Sequence, residues 1–262
     1  MSESDNSCAH NTEVAPLKED DQDSIPLDDS RWSSLSRLSS QRGIQIWPFV
    51  FSRDTPPLRD ALKNDPTYWG EAQSEQDATD WLQDISKNTH AFVWAVYSLP
   101  VASHVATDVT VSDSAYVFTG TVTVYVDRLN ATKCHFGMSI REAFRREKIA
   151  TQVVYLMLNY LFHLSTGTGG PGGLNTGSSS AVLLPVFELP MAEVFWETQS
   201  TNSISIHAAI SWGFVEVRHF FSEGQVWREY VMTEQSWKAG KQYHMASRLS
   251  GIASQSLKNL EV

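Results

Sequence analysis

Residues 202 to 214 are Asn-Ser-Ile-Ser-Ile-His-Ala-Ala-Ile-Ser-Trp-Gly-Phe, and this stretch decides the fold. Asn202 is a favourable N-cap, and apolar residues such as Ile206 and Ile210 recur at helical spacing. Gly213 is the residue type that ends a helix in the left-handed backbone region. The stretch therefore predicts a capped helix that leads directly into a strand.

The pattern Asn-x-x-Ser, seven residues, Gly-Phe resembles the cofactor-side helix of the GNAT acyltransferase superfamily. The likeness is to the branch of ribosomal-protein N-terminal acetyltransferases, the Rim-type branch. In that family the Asn and Ser at the helix start lie beside the acyl-CoA, so the resemblance assigns Asn202 and Ser205 to cofactor binding. An ordinary capped surface helix would carry the same signals. Other segments of the chain must decide between the two interpretations.

Residues 136 to 162, FGMSIREAFRREKIATQVVYLMLNYLF, align without a gap on the strand, loop and helix that hold the cofactor in this family. Ala150 and Thr151 match the family's Ala-Thr pair at the helix start and inherit its cofactor-binding role. The loop before them departs from the pattern, because Arg146 and Lys148 occupy the positions of two glycines. In the family this loop closes backbone N–H groups on a pyrophosphate at a helix N-terminus.

Two interpretations of the loop remain. In one, Arg145, Arg146 and Lys148 form a cationic phosphate site; in the other, the loop is degraded and binds nothing. A Lys at a position that needs a positive backbone angle costs on the order of 1 kcal/mol. A phosphate contact can return a similar amount, so this cost alone does not decide between them.

Further segments match the family in the same order, across about residues 44 to 237. Residues 224 to 232 resemble its last hairpin, and Ser74 resembles the cap of an early helix. Together these matches predict an α+β, three-layer GNAT acyltransferase fold, with a mixed central sheet flanked by helices. The predicted strands are 43–51, 92–98, 116–126, 133–139, 193–198 and 214–221, and the predicted helices before residue 200 are 57–63, 76–87 and 149–163.

Length and charge indicate one folded domain with a tail. The chain has 262 residues, of which 42% are hydrophobic, enough for one sizeable core. Residues 1–30 hold nine acidic residues and one basic residue, so they carry −8 of the formal net charge of −10. We expect a disordered, solvating tail, with a partner-binding or autoinhibitory arm as the alternative. The GNAT-like domain is expected over residues 31–262.

Charge and pattern also narrow the partners. The folded part is near neutral, which argues against a nucleic-acid substrate. The N-terminus lacks a signal-peptide pattern, and the apolar run 149–164 is too short to span a bilayer. Cys8 and Cys134 provide neither a disulfide framework nor zinc-ligand spacing. The expectation is a cytoplasmic protein with no membrane contact and no bound metal.

A Gly/Ser-rich insertion of about residues 165–190 separates this chain from the family pattern. Residues 165–180 contain six glycines and one proline. Such a long connection inside a compact domain is either functional or unstructured. The alternatives are a flexible surface loop and a lid over the acceptor pocket.

Acyl transfer from a thioester to an amine needs a base for the proton and amide donors for the developing oxyanion. The resemblance implies that the backbone of Met138 and Ile140 supplies the donors. His135 stands where many relatives carry an acidic residue facing the acceptor, and it titrates near neutrality, which suits a general base. A structural or exposed strand histidine is the alternative. The tyrosine acid of many relatives is replaced by Ala209, so Tyr230 is a candidate substitute, although core packing would also explain it.

Three functions follow from these observations. The first, which we favour, is a CoA-dependent transferase that moves acetyl or another acyl group from acyl-CoA to an amine or hydroxyl of a small molecule or peptide. The second is an enzyme of specialised metabolism that keeps the fold but catalyses a cyclase or lyase reaction without CoA. The third is a non-catalytic interaction protein.

Overall fold

The computed structural model describes the backbone of the predicted domain apart from several connecting segments. Most of the predicted tail and insertion, together with Ser74 and Arg146, lie outside the described residues. The part of the chain that the structure describes comprises residues 28–30, 32–35, 37–40, 43–65, 75–99, 113–145, 148–162, 190–222, 224–242, 244–247 and 249.

An eight-stranded sheet runs through the described part of the chain, in the order β1-β2-β3-β4-β5-β6-β8-β7. Every neighbouring pair is antiparallel except β5 and β6, which are parallel. The strands are β1 (Leu38–Ser39), β2 (Ile44–Pro48), β3 (Ala91–Ser98), β4 (Val117–Val126), β5 (Lys133–Ile140), β6 (Glu193–Gln199), β7 (Val215–Ser222) and β8 (Gln225–Thr233). This mixed sheet flanked by helices confirms the predicted fold class.

Four helices of ten or more residues are described, and two lie on each face of the sheet. They are α1 (Phe51–Asn64), α2 (Glu75–Lys87), α3 (Ile149–Leu161) and α4 (Ser203–Trp212). A short turn of helix, α5 (Glu234–Ser236), continues into a π-helical segment, Trp237–Lys241.

The first helix begins earlier than the sequence predicts. Prediction placed a strand over 43–51 and a helix from Pro57, but β2 ends at Pro48 and α1 starts at Phe51. The reason is the buried Asp54, whose Oδ2 accepts the backbone N–H of Val50 at 2.7 Å and so fixes the first turn. The Tyr97 hydroxyl on β3 donates to the same carboxylate, a long-range contact that a local pattern cannot reveal.

The register of the strands sorts the side chains onto two faces, because residues directly opposite in a ladder point the same way. Trp94, Val122 and Met138 share the face covered by α3, where the Tyr160 ring meets Trp94 edge to face at 6.0 Å. Thr121 and its neighbours share the opposite face, covered by α1 and α2. We call these the cofactor face and the acceptor face, respectively.

Close backbone approach makes one glycine in the centre of the sheet irreplaceable. A Cβ on Gly120 would lie 2.1 Å from the carbonyl oxygen of Ser139 and 3.2 Å from the Cα of Ile140, both backbone atoms of β5. By contrast, a Cβ on Gly137 would meet only the Thr123 carbonyl oxygen, at 3.9 Å. The end of β5 is therefore held tightly against β4, which fixes where Met138 and Ile140 lie.

Candidate active site

The two parallel strands separate soon after they pair. The β5–β6 ladder has three registered pairs and ends at His135 opposite Phe195, yet β5 continues to Ile140 and β6 continues to Gln199. Along its other edge β6 pairs with β8 over its whole length, from Glu193 to Gln199. The separation leaves a wedge-shaped opening between the strands in the middle of the sheet.

Backbone donors of β5 point into this opening. The Arg141 N–H donates to the Thr119 carbonyl at 2.9 Å, which shows that odd-numbered residues of β5 bond with β4. Even-numbered residues therefore direct their N–H and C=O groups toward β6. Met138 and Ile140 are even-numbered and lie beyond the last β5–β6 pair, so their amides face the opening, as the predicted role requires.

Helix α3 begins beside the end of β5 without a side-chain cap. Its N-cap residue, Lys148, has φ 57° and is the one non-glycine residue with positive φ among the described residues. Lys148 therefore adopts the left-handed conformation that glycine tolerates best. The first-turn amides of Ile149, Ala150 and Thr151 precede the first intrahelical bond, from Gln152 N–H to the Lys148 carbonyl. Such a helix start favours an anion.

Arg145 has partners within the protein. Its Nε donates to the Ile140 carbonyl at 2.9 Å, and its guanidinium lies 3.4 Å from Oδ2 of Asp65, just after α1. The same Asp65 oxygen accepts the Glu142 N–H at 2.5 Å. Arg145 therefore connects the end of β5 to the end of α1, in addition to any contact with phosphate.

Helix α4 begins as the sequence predicts. Asn202 Oδ1 accepts the backbone N–H of Ser205 at 3.0 Å, and Gly213 ends the helix at φ 91°. The Ser205 hydroxyl accepts a hydrogen bond from the indole Nε1 of Trp196 on β6, at 2.9 Å. The predicted cofactor residues Asn202 and Ser205 therefore also position the helix start against the sheet.

Two tryptophans, one on β6 and one on α4, connect the cofactor-face helices to the sheet and to each other. Trp196 and Trp212 meet edge to face with ring centroids 5.4 Å apart. The Trp212 indole donates to Thr151 Oγ1 at 3.2 Å, so α4 is bonded to the first turn of α3. Phe136 on β5 lies 5.6 Å from the Trp196 ring. These aromatic rings line the cofactor-face side of the opening.

Charged side chains lie on the acceptor face where the strands separate. His135 Nδ1 is 3.2 Å from Glu197 Oε1, and the side chains are 39% and 32% exposed. Their polar contact raises the pKa of His135 and lowers the pKa of Glu197. Glu229, on β8, lies beside this pair and is almost fully buried. Arg218 donates one hydrogen bond of 2.8 Å to each of the two carboxylate oxygens of Glu229.

The side-chain atoms of His135, Glu197 and Glu229 that could bind a metal ion all lie within 4.8 Å of one another. A divalent cation would need these same atoms. Arg218 already occupies both oxygens of Glu229, and Glu197 already contacts His135. The cluster therefore consists of the Arg218–Glu229 ion pair beside the His135–Glu197 pair, which becomes ionic when the imidazole takes up a proton.

Comparison with known protein families identifies the family of the chain. The profile of the acetyltransferase (GNAT) domain family matches residues 47–215, nearly two thirds of the chain. The chain belongs to the GNAT family. Membership makes it an acyltransferase, with CoA-dependent acetyl transfer as the general activity of the family. A search by sequence among curated proteins found no match.

Solved structures with the GNAT fold resemble the chain over most of its length. A GCN5-related N-acetyltransferase from Brucella melitensis has a TM-score of 0.56 and 16% identity, over 80% of this chain and 84% of that one. RimL, a ribosomal α-N-protein acetyltransferase in complex with coenzyme A, gives 0.52 and 10%, over 77% and 99%. A spermidine N-acetyltransferase chimera from Vibrio cholerae and hSSAT gives 0.51 and 13%, over 75% and 98%. At these identities the likeness concerns the fold.

Within this GNAT fold the predicted site residues fall into two groups. The first group consists of residues at the end of β5 and at the starts of α3 and α4, namely Met138, Ile140, Lys148, Ala150, Thr151, Asn202 and Ser205. The second is His135, on the acceptor face where the strands separate. Tyr230 lies on the cofactor face, opposite Trp196 in the ladder, and is fully buried. Burial raises its pKa, and it lies on the other side of the sheet from His135.

Sequence reasoning missed Glu197, Glu229 and Arg218. The alternation of side chains between the two faces of β6 is visible in the sequence around Glu197, but only the strand register places this carboxylate beside His135.

Among the described residues, no helix combines the length and the apolar character needed to cross a membrane.

Proposed function

We propose that this GNAT protein transfers an acetyl group from acetyl-CoA to an amine or hydroxyl of a small molecule or peptide. The observation that carries the proposal is the opening between β5 and β6, with the Met138 and Ile140 amides on one edge and the His135–Glu197 pair at its start. These groups supply the oxyanion donors and the base that acyl transfer requires.

The cofactor would bind across the cofactor face. The uncapped start of α3, with its amides at Ile149, Ala150 and Thr151, suits the pyrophosphate, and Lys148 adds a cation. The thioester would lie in the opening, within reach of the Met138 and Ile140 amides. From the Asn202–Ser205 pattern we also propose that the chain is a member of the Rim-type branch. We further propose that residues 31–262 form one domain.

His135 would act as the base through Nε2, because Glu197 contacts Nδ1. The neutral acceptor nitrogen or oxygen attacks the thioester carbonyl carbon, and its proton passes to His135. The tetrahedral oxyanion then collapses, the C–S bond breaks, and the CoA thiolate leaves. Since Ala209 replaces the family tyrosine and Tyr230 is buried on the other face, we assign protonation of the thiolate to solvent. Glu197 stabilises the imidazolium formed in the first step.

The hydrogen bonds of two hydroxyls bear on the alternative of a changed reaction without CoA. The hydroxyls of Ser205 and Thr151, expected beside the cofactor, already accept hydrogen bonds from Trp196 and Trp212. Each hydroxyl keeps its own O–H, which can still donate to an oxygen atom of the cofactor. The backbone amides at the start of α3 remain the main phosphate donors in our proposal.

Calorimetric titration with acetyl-CoA tests the proposal, at moderate ionic strength because salt weakens phosphate contacts. We expect micromolar binding, together with acceptor-dependent release of free CoA thiol, and loss of thiol release but not of binding in His135→Ala. A folded protein that does not bind acetyl-CoA would contradict the proposal and favour the repurposed enzyme.

A further inference from the structure

A β-bulge in β7 decides which side chain stands opposite Glu229. Glu216 pairs with Tyr230, after which the register shifts. Val217 is the extra residue, so Arg218 pairs with Glu229. In a regular strand Glu216 and Arg218 would point to the same face. The bulge turns Arg218 to the acceptor face instead, as bulges beside active sites commonly do for a side chain.

Two contacts hold Arg218 in this position. Its guanidinium donates to both oxygens of Glu229, at 2.8 Å each, a forked geometry that arginine provides and lysine does not. The same guanidinium lies 5.0 Å from the centre of the Phe220 ring. The Arg218 side chain is 60% exposed, whereas that of Glu229 is 7% exposed. Arg218 therefore supplies the opposite charge that a buried carboxylate needs.

Glu229 belongs to a row of charged side chains that crosses four strands. It lies opposite Glu197 in the β6–β8 ladder, and the side chains of both approach His135. The row begins at Arg218 on the sheet edge and ends at the imidazole, whose Nδ1 is 3.2 Å from Glu197. A change of charge at the edge can therefore be felt at the opening between β5 and β6.

We infer that Arg218 is a positioning residue that acts on His135 through Glu229. By holding this carboxylate and cancelling its charge, Arg218 leaves the imidazole beside one uncompensated glutamate instead of two. A second uncompensated carboxylate would stabilise the imidazolium, and the base would stay protonated to higher pH. The inference rests on the proposed function, in which His135 is the base.

The causes of the pKa shifts agree with this geometry. The contact with Glu197 is the main cause of the raised pKa of His135, burial opposes it, and the charges of Glu229 and Asp127 add to it. The contact with His135 is likewise the main cause of the lowered pKa of Glu197, and the charge of Arg218 adds to that effect. The charge of Arg218 therefore reaches two strands beyond its own.

The other neighbours of His135 add no net charge. Lys133 and Glu193 form an ion pair of 2.6 Å at the starts of β5 and β6. Tyr125 lies opposite His135 on β4, and burial raises its pKa, so the phenol is neutral. Helix α2 contacts this phenol through the uncharged Trp81.

An NMR titration of His135 tests the inference at low ionic strength, because salt screens the charge of an exposed arginine. The chain has eight histidines, and the loss of one signal in His135→Gln identifies this one. We expect the titration midpoint to rise by about half a pH unit in Arg218→Gln and to fall by a similar amount in Glu229→Gln. The double variant removes both charges and should titrate close to the unmodified chain.

Arg228→Gln is the matched control. Arg228 precedes Glu229 on β8 but points to the cofactor face, where it lies 3.4 Å from Glu216. Its replacement removes the same charge from the other side of the sheet and should leave the midpoint of His135 unchanged. Arg218→Lys keeps the charge and should also leave the midpoint near its original position. Circular dichroism must show that each variant is folded.

The same variants should move the acidic limb of the kcat/KM profile in the same directions. Opposite shifts that cancel in the double variant are not the effect of a general structural disturbance. An unchanged midpoint in Arg218→Gln, or a double variant that keeps the shift of Arg218→Gln, overturns the inference. Midpoints that move without the acidic limb overturn the role of Arg218 in catalysis. The NMR titration needs no turnover, so it decides the charge coupling independently of whether acetyl transfer is found.

Discussion

His135 Nδ1 and Glu197 Oε1 lie 3.2 Å apart, on two parallel strands that separate immediately after His135. The carboxylate contact holds the imidazole at the start of the opening and leaves Nε2 for the acceptor. A general base in this position must be neutral before it can accept a proton. If His135 is the base, as we propose, its raised pKa sets the acidic limit of catalysis.

We predict that Glu197→Gln moves the acidic limb of the kcat/KM profile to lower pH. Loss of the carboxylate removes the contact that raises the pKa of His135, so the base becomes neutral at lower pH but also becomes weaker. The plateau should fall, by less than the roughly 10²–10⁴-fold that removal of the base in His135→Ala would cost. Glu193→Gln is the matched control, because Glu193 is also on β6 but pairs with Lys133 at 2.6 Å. An unchanged limb in Glu197→Gln would exclude His135 as the titrating base.

Two substitutions of Lys148 separate backbone strain from charge. Lys148→Gly relieves the left-handed conformation and should raise the free energy of unfolding by about 1 kcal/mol, whereas Lys148→Gln keeps the strain. Both remove the cation and should weaken acetyl-CoA binding similarly in calorimetry. Unchanged affinity in both variants would mean that the Lys148 side chain does not contact phosphate.

Gly120→Ala should be strongly destabilising. The new Cβ would lie 2.1 Å from the Ser139 carbonyl oxygen, and backbone on both strands would have to move. We expect a loss of roughly 2–4 kcal/mol in chemical denaturation, together with reduced turnover, because the shifted strand carries Met138 and Ile140. Gly137→Ala is the control. Its new Cβ would lie 3.9 Å from the nearest atom of a non-neighbouring residue, so this contact should change the free energy of unfolding very little. Equal stability of the two variants would refute the close approach.

Asn202→Ala should cost about 1 kcal/mol, because the Ser205 N–H loses the side chain that caps it. If Asn202 also lies beside the cofactor, acetyl-CoA affinity should fall in this variant. Asn202→Asp retains a capping oxygen, so its stability should be close to that of the unmodified chain. Its acetyl-CoA affinity then shows whether the loss in Asn202→Ala is due to the missing helix cap. Calorimetric affinity that is unchanged in Asn202→Ala would remove Asn202 from the cofactor site.

The sequence was most informative where local signals coincide with structure. Asn202 and Gly213 bound α4 as predicted, and the turn through Asn130 joins β4 and β5 as an antiparallel pair. Local patterns failed at Phe51, because the sequence predicted a helix start at Pro57. The first turn is stabilised instead by a buried carboxylate that also contacts β3.

The acidic members of the site could not be found from sequence for a related reason. Glu197 and Glu229 become neighbours of His135 only through a parallel ladder and an antiparallel ladder whose registers are set by tertiary packing. A shift of either register by one residue would move these carboxylates to the other face. The positions of Met138 and Ile140 beyond the last β5–β6 pair were accessible, because they follow from the family fold rather than from side-chain chemistry.

The brevity of the parallel ladder has a consequence for the folding cooperativity of the molecule. Three registered pairs connect five strands on one side to three strands on the other. Apart from the two-residue edge strand β1, this is the shortest ladder in the sheet, so the two parts should behave as separate cooperative units in native-state exchange. A ligand bound between β5 and β6 would add hydrogen bonds where the two strands do not pair with each other. Occupancy of the cofactor site would then merge two units of local stability into one.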